Sequence, residues 1–133
     1  MMQLESALKA YLLSIPAITA VVSQRVYGIL RQQSQDLPAV LIQRVGTVRQ
    51  RKFCATKTDP LVSADLQVDS YAMGGDTGWA LAKEMRLTLM NFTGMMGDTY
   101  VDEVILTNEF PLNDPDPGVI RITQLYNFWY LED

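Results

Sequence analysis

Few residues of this chain have the means to do covalent chemistry. Cys54 is the one cysteine, and it lies among Arg51, Lys52 and Lys57. Nearby cations raise the thiolate fraction of a cysteine, and the thiolate is the nucleophile. Nucleophilic catalysis also wants a base beside the nucleophile, and the chain has no histidine. The commonest general base and the commonest metal ligand are therefore both missing. A zinc site built from one cysteine and carboxylates alone would be unusual. An incidental thiol explains Cys54 better than a reactive one, and no disulfide can form within one chain.

Two other stretches invite a chemical reading. Gly74-Gly75-Asp76-Thr77-Gly78 has the glycine density of a phosphate loop, without the lysine of a P-loop or the spacing of a dinucleotide fingerprint. A turn leading into a helix, with Asp76 as its cap, explains it far better. Paired carboxylates occur at Asp102-Glu103 and at Asp114 and Asp116. Adjacent residues on a strand point to opposite faces, so the first pair shares no site. The second pair sits in Asn113-Asp114-Pro115-Asp116-Pro117-Gly118, where turn chemistry accounts for it. Arg49, Arg51, Lys52 and Lys57 around Phe53 have the composition of a phosphate and base-stacking patch. Against a net charge of −4, a solvated tip or a protein contact fits them better. The residues thus exclude most catalysis and expect neither cofactor nor metal.

The elements that position these residues follow from periodicity. From Val62 to Val68 apolar and polar residues alternate, which marks a strand with one covered and one wet face. Beyond the glycine turn, Leu81, Ala82, Met85, Leu89 and Phe92 recur at helical spacing, with Lys83, Glu84 and Arg86 mainly outward. Gly94 and Gly97 are expected to end that helix. Leu4, Leu8, Tyr11, Leu12 and Ile15 predict an amphipathic helix over residues 3–14, stopped by Pro16. A short helical turn over 17–22 follows, then a brief extended piece at Val26-Tyr27 and a polar loop over 29–37. A strand runs from Ala39 to about Arg49. A third strand is expected from Tyr100 to about Leu106, with Val101 and Ile105 on one side and Val104 and Leu106 on the other. The last runs from Val119 to Leu131, with Ile120, Ile122, Tyr126, Phe128 and Tyr130 on one face. Arg121, Thr123, Leu125, Asn127, Trp129 and Leu131 occupy its other face. Two part-apolar faces predict an interior strand.

Helix, short helix, strand, strand, helix, strand, strand is an α+β order. It predicts one domain over 1–133, with a four-stranded, mainly antiparallel sheet and helices packed on one face. The spatial order is first, second, fourth, third, and a long β-hairpin projects with Arg49 to Asp59 at its tip. The predicted core is Leu4, Leu8, Leu12, Val40, Ile42, Leu66, Val68, Leu81, Met85, Leu89, Ile122 and Tyr126. No apolar run reaches the ~20 residues that span a bilayer, and the start lacks the pattern of a signal peptide.

Charge is divided along the chain. Residues 1–57 carry eight Lys/Arg and two Asp/Glu, a net +6, whereas residues 58–133 carry three and thirteen, a net −10. Either folding mixes these charges, or opposite patches survive through which copies of the molecule meet. Candidate contact residues are Arg49, Arg51, Lys52, Phe53 and Lys57 at the tip. On the wet face they are Asp65, Asp69 and the aromatic anchor Trp129, and in the proline turn Asp114 and Asp116. Trp129 has a second explanation, as a filler for the end of the core.

Four segments in order carry a resemblance. They are Leu4 to Leu12 with Ile15-Pro16-Ala17-Ile18 and Arg25-Val26-Tyr27; Leu37 to Arg44; Ala64 to Ala72 with Ala80 to Arg86; and Arg121 to Tyr130. Together they resemble the tail-completion or tail-terminator proteins of siphophages over nearly the whole chain. The basic hairpin and the Pro-Asp turn are not part of that signature. The resemblance implies a structural virion protein without catalytic residues, assembled in the bacterial host cytoplasm and placed in the tail neck. It implies a ring, usually a hexamer, on the head-proximal end of the tail tube. The expected partners are further copies of the chain, the tail tube protein and the head connector, with DNA passing through the hole and no membrane. Another neck or head-completion component, a small ligand-binding α+β module and an enzyme working through Cys54 or carboxylates are the alternatives.

Overall fold

The computed structural model describes residues 4–28, 37–49, 61–90, 92–113 and 118–131. In chain order these form α1 (Leu4–Leu13), α2 (Pro16–Val22), β1 (Val26–Gly28), β2 (Ala39–Arg49), β3 (Leu61–Met73), α3 (Gly75–Leu89), β4 (Gly94–Met96), β5 (Thr99–Asn113) and β6 (Val119–Leu131). One mixed sheet runs β1-β2-β3-β6-β5-β4. Its four long strands are antiparallel neighbours in the expected order, with β6 inside. The sheet has six strands, not four. β1 adds in parallel to one edge and β4 pairs antiparallel at the other.

The three helices lie on one face, over a core in which α1, α2 and α3 share one apolar cluster with β2, β3, β5 and β6. All twelve expected core residues are buried. Eleven of them belong to that cluster; Ile122 instead packs beneath the start of α3 near Gly78. A Cβ on Gly78 would stand 3.1 Å from Ile120 Cγ2. Hydrogen is therefore the side chain that lets α3 approach β6 this closely. No single helix among the described residues is long and apolar enough to cross a membrane. α1 and α2 together would pass on length and composition, but they meet at 88° and bury Leu4, Leu8, Leu12, Ile18 and Val22 in the core.

Three further expectations are corrected. The first concerns the entry to α3. Its N-cap is Gly74, at φ 95° with no side-chain cap, and Asp76 sits inside the first turn. There the carboxylate favours the positive end of the helix dipole without closing a hydrogen bond. The second concerns the exit. The helix stops at Leu89, and Phe92 lies beyond it, edge-on to Tyr11 at 4.9 Å. Gly94 opens β4, and Gly97, at φ 61°, begins the two-residue turn to β5, where a hairpin favours glycine.

The third correction is the facing of β5. Its pairing with β6 shifts between Val101 and Glu103 and again between Leu106 and Asn108. Each bulge inserts one residue and reverses the alternation that follows. Val101, Val104 and Leu106 consequently share the helix side of the sheet, while Ile105 is turned out and 42% exposed. The strand also continues to Asn113, well past Leu106.

Leu66 and Leu89 are fully buried in the shared cluster, one from the sheet and one from α3. Leu66→Ala and Leu89→Ala should each lower unfolding free energy by about 2–5 kcal/mol in urea titrations.

Candidate protein–protein interface

Alternation along β3 and β6 sends half of their residues away from the helices. No helix among the described residues packs on that second face. It is built in cross-strand rows: Ser63 opposite Trp129, Asp65 opposite Asn127, Gln67 opposite Leu125, Asp69 opposite Thr123, and Tyr71 opposite Arg121. Side chains on paired positions stand close enough to bond, and here they do. Thr123 Oγ1 donates to Asp69 Oδ1 at 2.7 Å, and Gln67 Nε2 donates to Asp69 Oδ2 at 3.0 Å. Asn127 Nδ2 donates to both Ser63 Oγ and Asp65 Oδ1 at 2.8 Å. The Arg121 guanidinium lies 6.0 Å from the centre of the Tyr71 ring. A small apolar group of Leu41, Tyr71 and Val119 covers the end nearest β1.

The expected contact residues fare differently. Asp65 is exposed on this face and Trp129 is half-buried there, outside the main core, so Trp129 does not plug the core's end. Asp69 is fully buried beneath its neighbours. It holds the face together from within and offers no surface for a partner. Arg49 ends β2, paired through its backbone with Val62. Arg51, Lys52, Phe53 and Lys57, like Asp114 and Asp116, lie outside the described residues, as does Cys54. Among the described residues no group of three His, Cys, Asp or Glu side chains is placed to hold a metal.

A second surface was not anticipated. On α3, Trp79, Lys83, Leu87 and Met90 follow at steps of four, four and three, which places them on one stripe. That stripe faces away from the buried Leu81, Ala82, Met85 and Leu89, and its three large apolar members are 42%, 64% and 44% exposed. The signal was present in the spacing. The stronger inward stripe of the same helix and the charges of Lys83, Glu84 and Arg86 masked it.

Ion pairs between layers hold both surfaces in place. Arg44 of β2 donates from Nε to Glu5 Oε1 of α1 at 2.8 Å, and from Nη1 to Tyr130 OH at 3.3 Å. Burial opposes the charge of Arg44, but Glu5 and Tyr130 outweigh it and hold the guanidinium above its ordinary pKa. Arg86 of α3 meets Glu109 of β5 at 3.2 Å. Gln124 Nε2 bridges Glu109 Oε2 at 2.6 Å and the Ala82 carbonyl at 3.0 Å. Beside them the hydroxyl of Tyr126 is buried with no hydrogen-bond partner among the described residues. Burial, reinforced by the Glu109 carboxylate, pushes its pKa well up.

A raised phenol pKa means that the folded state keeps a proton which the unfolded chain loses above about pH 10. This contribution to stability is complete below that pH and falls as the pH climbs past it. Tyr126→Phe removes an unpartnered polar atom at little change of shape, so near pH 7 it should shift unfolding free energy by no more than about 1 kcal/mol. Between about pH 9 and 11 the variant should lose less stability than the parent. Urea melts across that range check both outcomes.

The model of the family described as tail completion protein gp17 matches residues 6–131. No curated protein matches the sequence. Among solved structures, a chain from the virion of a native gene transfer agent particle superposes with a TM-score of 0.79. It is 14% identical in sequence, and the match covers 97% of this chain and 95% of that one. At that identity the likeness is one of fold.

Proposed function

The chain belongs to the tail completion protein gp17 family, a family of structural tail proteins of virions, and on that premise we propose that it is a tail terminator. In this reading, copies form a closed ring, six in the usual case, on the head-proximal end of the tail tube. The ring stops tube polymerisation and presents its other side to the head connector. DNA passes through the hole without sequence-specific contacts, and assembly takes place in the host cytoplasm. The observation that carries the reading is the family match along nearly the whole chain. The absence of histidine agrees with a structural role.

A terminator needs distinct surfaces for its neighbours in the ring, for the tube and for the connector. Rings form from head-to-tail contacts in which each subunit uses two different patches. The division of charge between residues 1–57 and 58–133 supports such an arrangement. Within it, the basic segment with Arg49, Arg51, Lys52, Phe53 and Lys57 reaches an acidic surface of the next subunit or of the tube. Four like charges close in sequence would be costly to bury in a core, and attraction between exposed patches weakens with salt.

Deleting the gene in a complete tail module should yield tails of uncontrolled length that fail to join heads, scored by electron microscopy. Tails of normal length that lack only heads would instead favour another neck or head-completion component. Arg51→Glu with Lys52→Glu should leave the circular dichroism of the monomer unchanged and weaken assembly, most clearly at low salt. Normal tails from the folded double variant would return this segment to ordinary solvated loop.

A further inference from the structure

The outer stripe of α3 and the open face of the sheet lie on opposite sides of the molecule, and their side chains complement one another. On the helix, Lys83 stands between Trp79 and Leu87, one turn away on either side. On the sheet, Trp129 and Ile105 occupy neighbouring open-face rows near the end of the β5–β6 pair where β5 begins and β6 finishes. Two carboxylates flank Trp129: Glu103 of β5 is paired with it, and Asp65 of β3 lies one row along, opposite Asn127. Neither the Lys83 ammonium nor the Glu103 carboxylate has a hydrogen bond or ion pair among the described residues. One surface is thus apolar, cationic and apolar along a line, and the other sets Trp129 between two anions, with Ile105 next to Glu103 on β5.

We propose that the Trp79–Lys83–Leu87 stripe of one copy seats on the open sheet face of the next, with Lys83 between Asp65 and Glu103. The inference rests on the ring reading above and supplies its lateral contact. Charge complementarity selects a second copy of this chain as the occupant, because both halves of the match are already on the molecule. Partially exposed aromatic and aliphatic anchors give such a contact its affinity, and the charges give it register. The two patches differ, so the contact is heterologous: copies repeat in one direction until the rotation closes. Asp69, Thr123, Gln67 and Asn127 have a part here without touching the partner. Their bonds stiffen the sheet face before docking, so little ordering remains for association to impose.

Cross-linking in assembled tails tests the contact. Leu87→Cys and Ile105→Cys are combined in a Cys54→Ser background, and the protein is produced with its tail module. Oxidation should give a ladder of covalent multimers ending at the ring number. Each single cysteine variant should give none, since a heterologous contact never opposes position 87 to itself. Charge exchange is the second arm. Lys83→Glu alone and Glu103→Lys alone should each lower incorporation into tails several-fold, and the pair together should restore it. All four positions are on the surface, and circular dichroism confirms folding.

Tails that incorporate the double-cysteine protein yet yield only uncrosslinked chains overturn the proposal. So does a cross-link from position 87 to the tube or connector protein, or a charge exchange that fails to rescue. Tail length in the same preparations separates this result from the parent reading. Overgrown tails on gene deletion together with no 87–105 cross-link sink the contact and leave the terminator standing. Normal tail length on deletion sinks the terminator whatever the cross-links show.

Discussion

The ladder between β3 and β6 is the constraint on which the rest depends. Two thirteen-residue strands pair in unbroken register from Leu61 opposite Leu131 to Met73 opposite Val119. Because side chains alternate, a slip of one residue would turn every apolar side chain of one strand out of the core. Register is therefore specified twice over. On the helix side it is fixed by burial of Val62, Ala64, Leu66 and Val68 with Tyr126, Phe128 and Tyr130. On the open side the bonds from Thr123 to Asp69 and from Asn127 to Asp65 would break with any slip.

The strands outside this pair are less regular. β2 departs from strict pairing between Arg44 and Gly46, and β5 does so twice. Bulges increase local twist, and they fall on both neighbours of the straight central pair. They also redirect side chains. Val45, at the shift in β2, is 54% exposed, and the bulges in β5 turn Ile105 outward beside Asn127. The same register that makes the core thus determines what the open face displays.

This division explains what could be read from the residues. β3 and β6 announce themselves because their alternation is never interrupted, and two part-apolar faces place β6 inside the sheet. β5 was misfaced because nothing in Val101 to Leu106 signals an extra residue at Asp102; bulges are set by the partner strand, and single-strand patterns do not see them. β4 was hidden behind Gly94 and Gly97, which end a helix as plausibly as they shape a hairpin. Asp69 read as a surface carboxylate because its type is usually exposed. Its burial depends on Thr123, 54 residues away in sequence. The basic segment around Arg51 was conspicuous in composition, but composition alone could not pair it with a surface.

The layers also differ in how they are joined, and the difference bears on assembly. α1 is tied to the sheet by Glu5 and Arg44, at the edge of the apolar core, while α3 is tied by a chain running Arg86, Glu109, Gln124 and the Ala82 carbonyl. The second chain crosses from helix to β5 to β6 and so fixes α3 against the two strands that carry Ile105 and Trp129 on their far side. Ion pairs that are only partly buried, like these, recover little beyond the cost of desolvating their charges. Their geometric effect is larger, since a polar chain with specific donors and acceptors admits one placement of the helix where apolar packing alone admits several. The outer stripe of α3 and the open sheet face are consequently held at one fixed angle to each other. In an assembly built by repeating a head-to-tail step, that angle is passed from copy to copy, and a small error in it decides between a ring that closes and a spiral that does not. The polar chain through Glu109 thus fixes the placement of α3 on the sheet, while stability rests on the apolar core around Leu66, Leu89 and Tyr126.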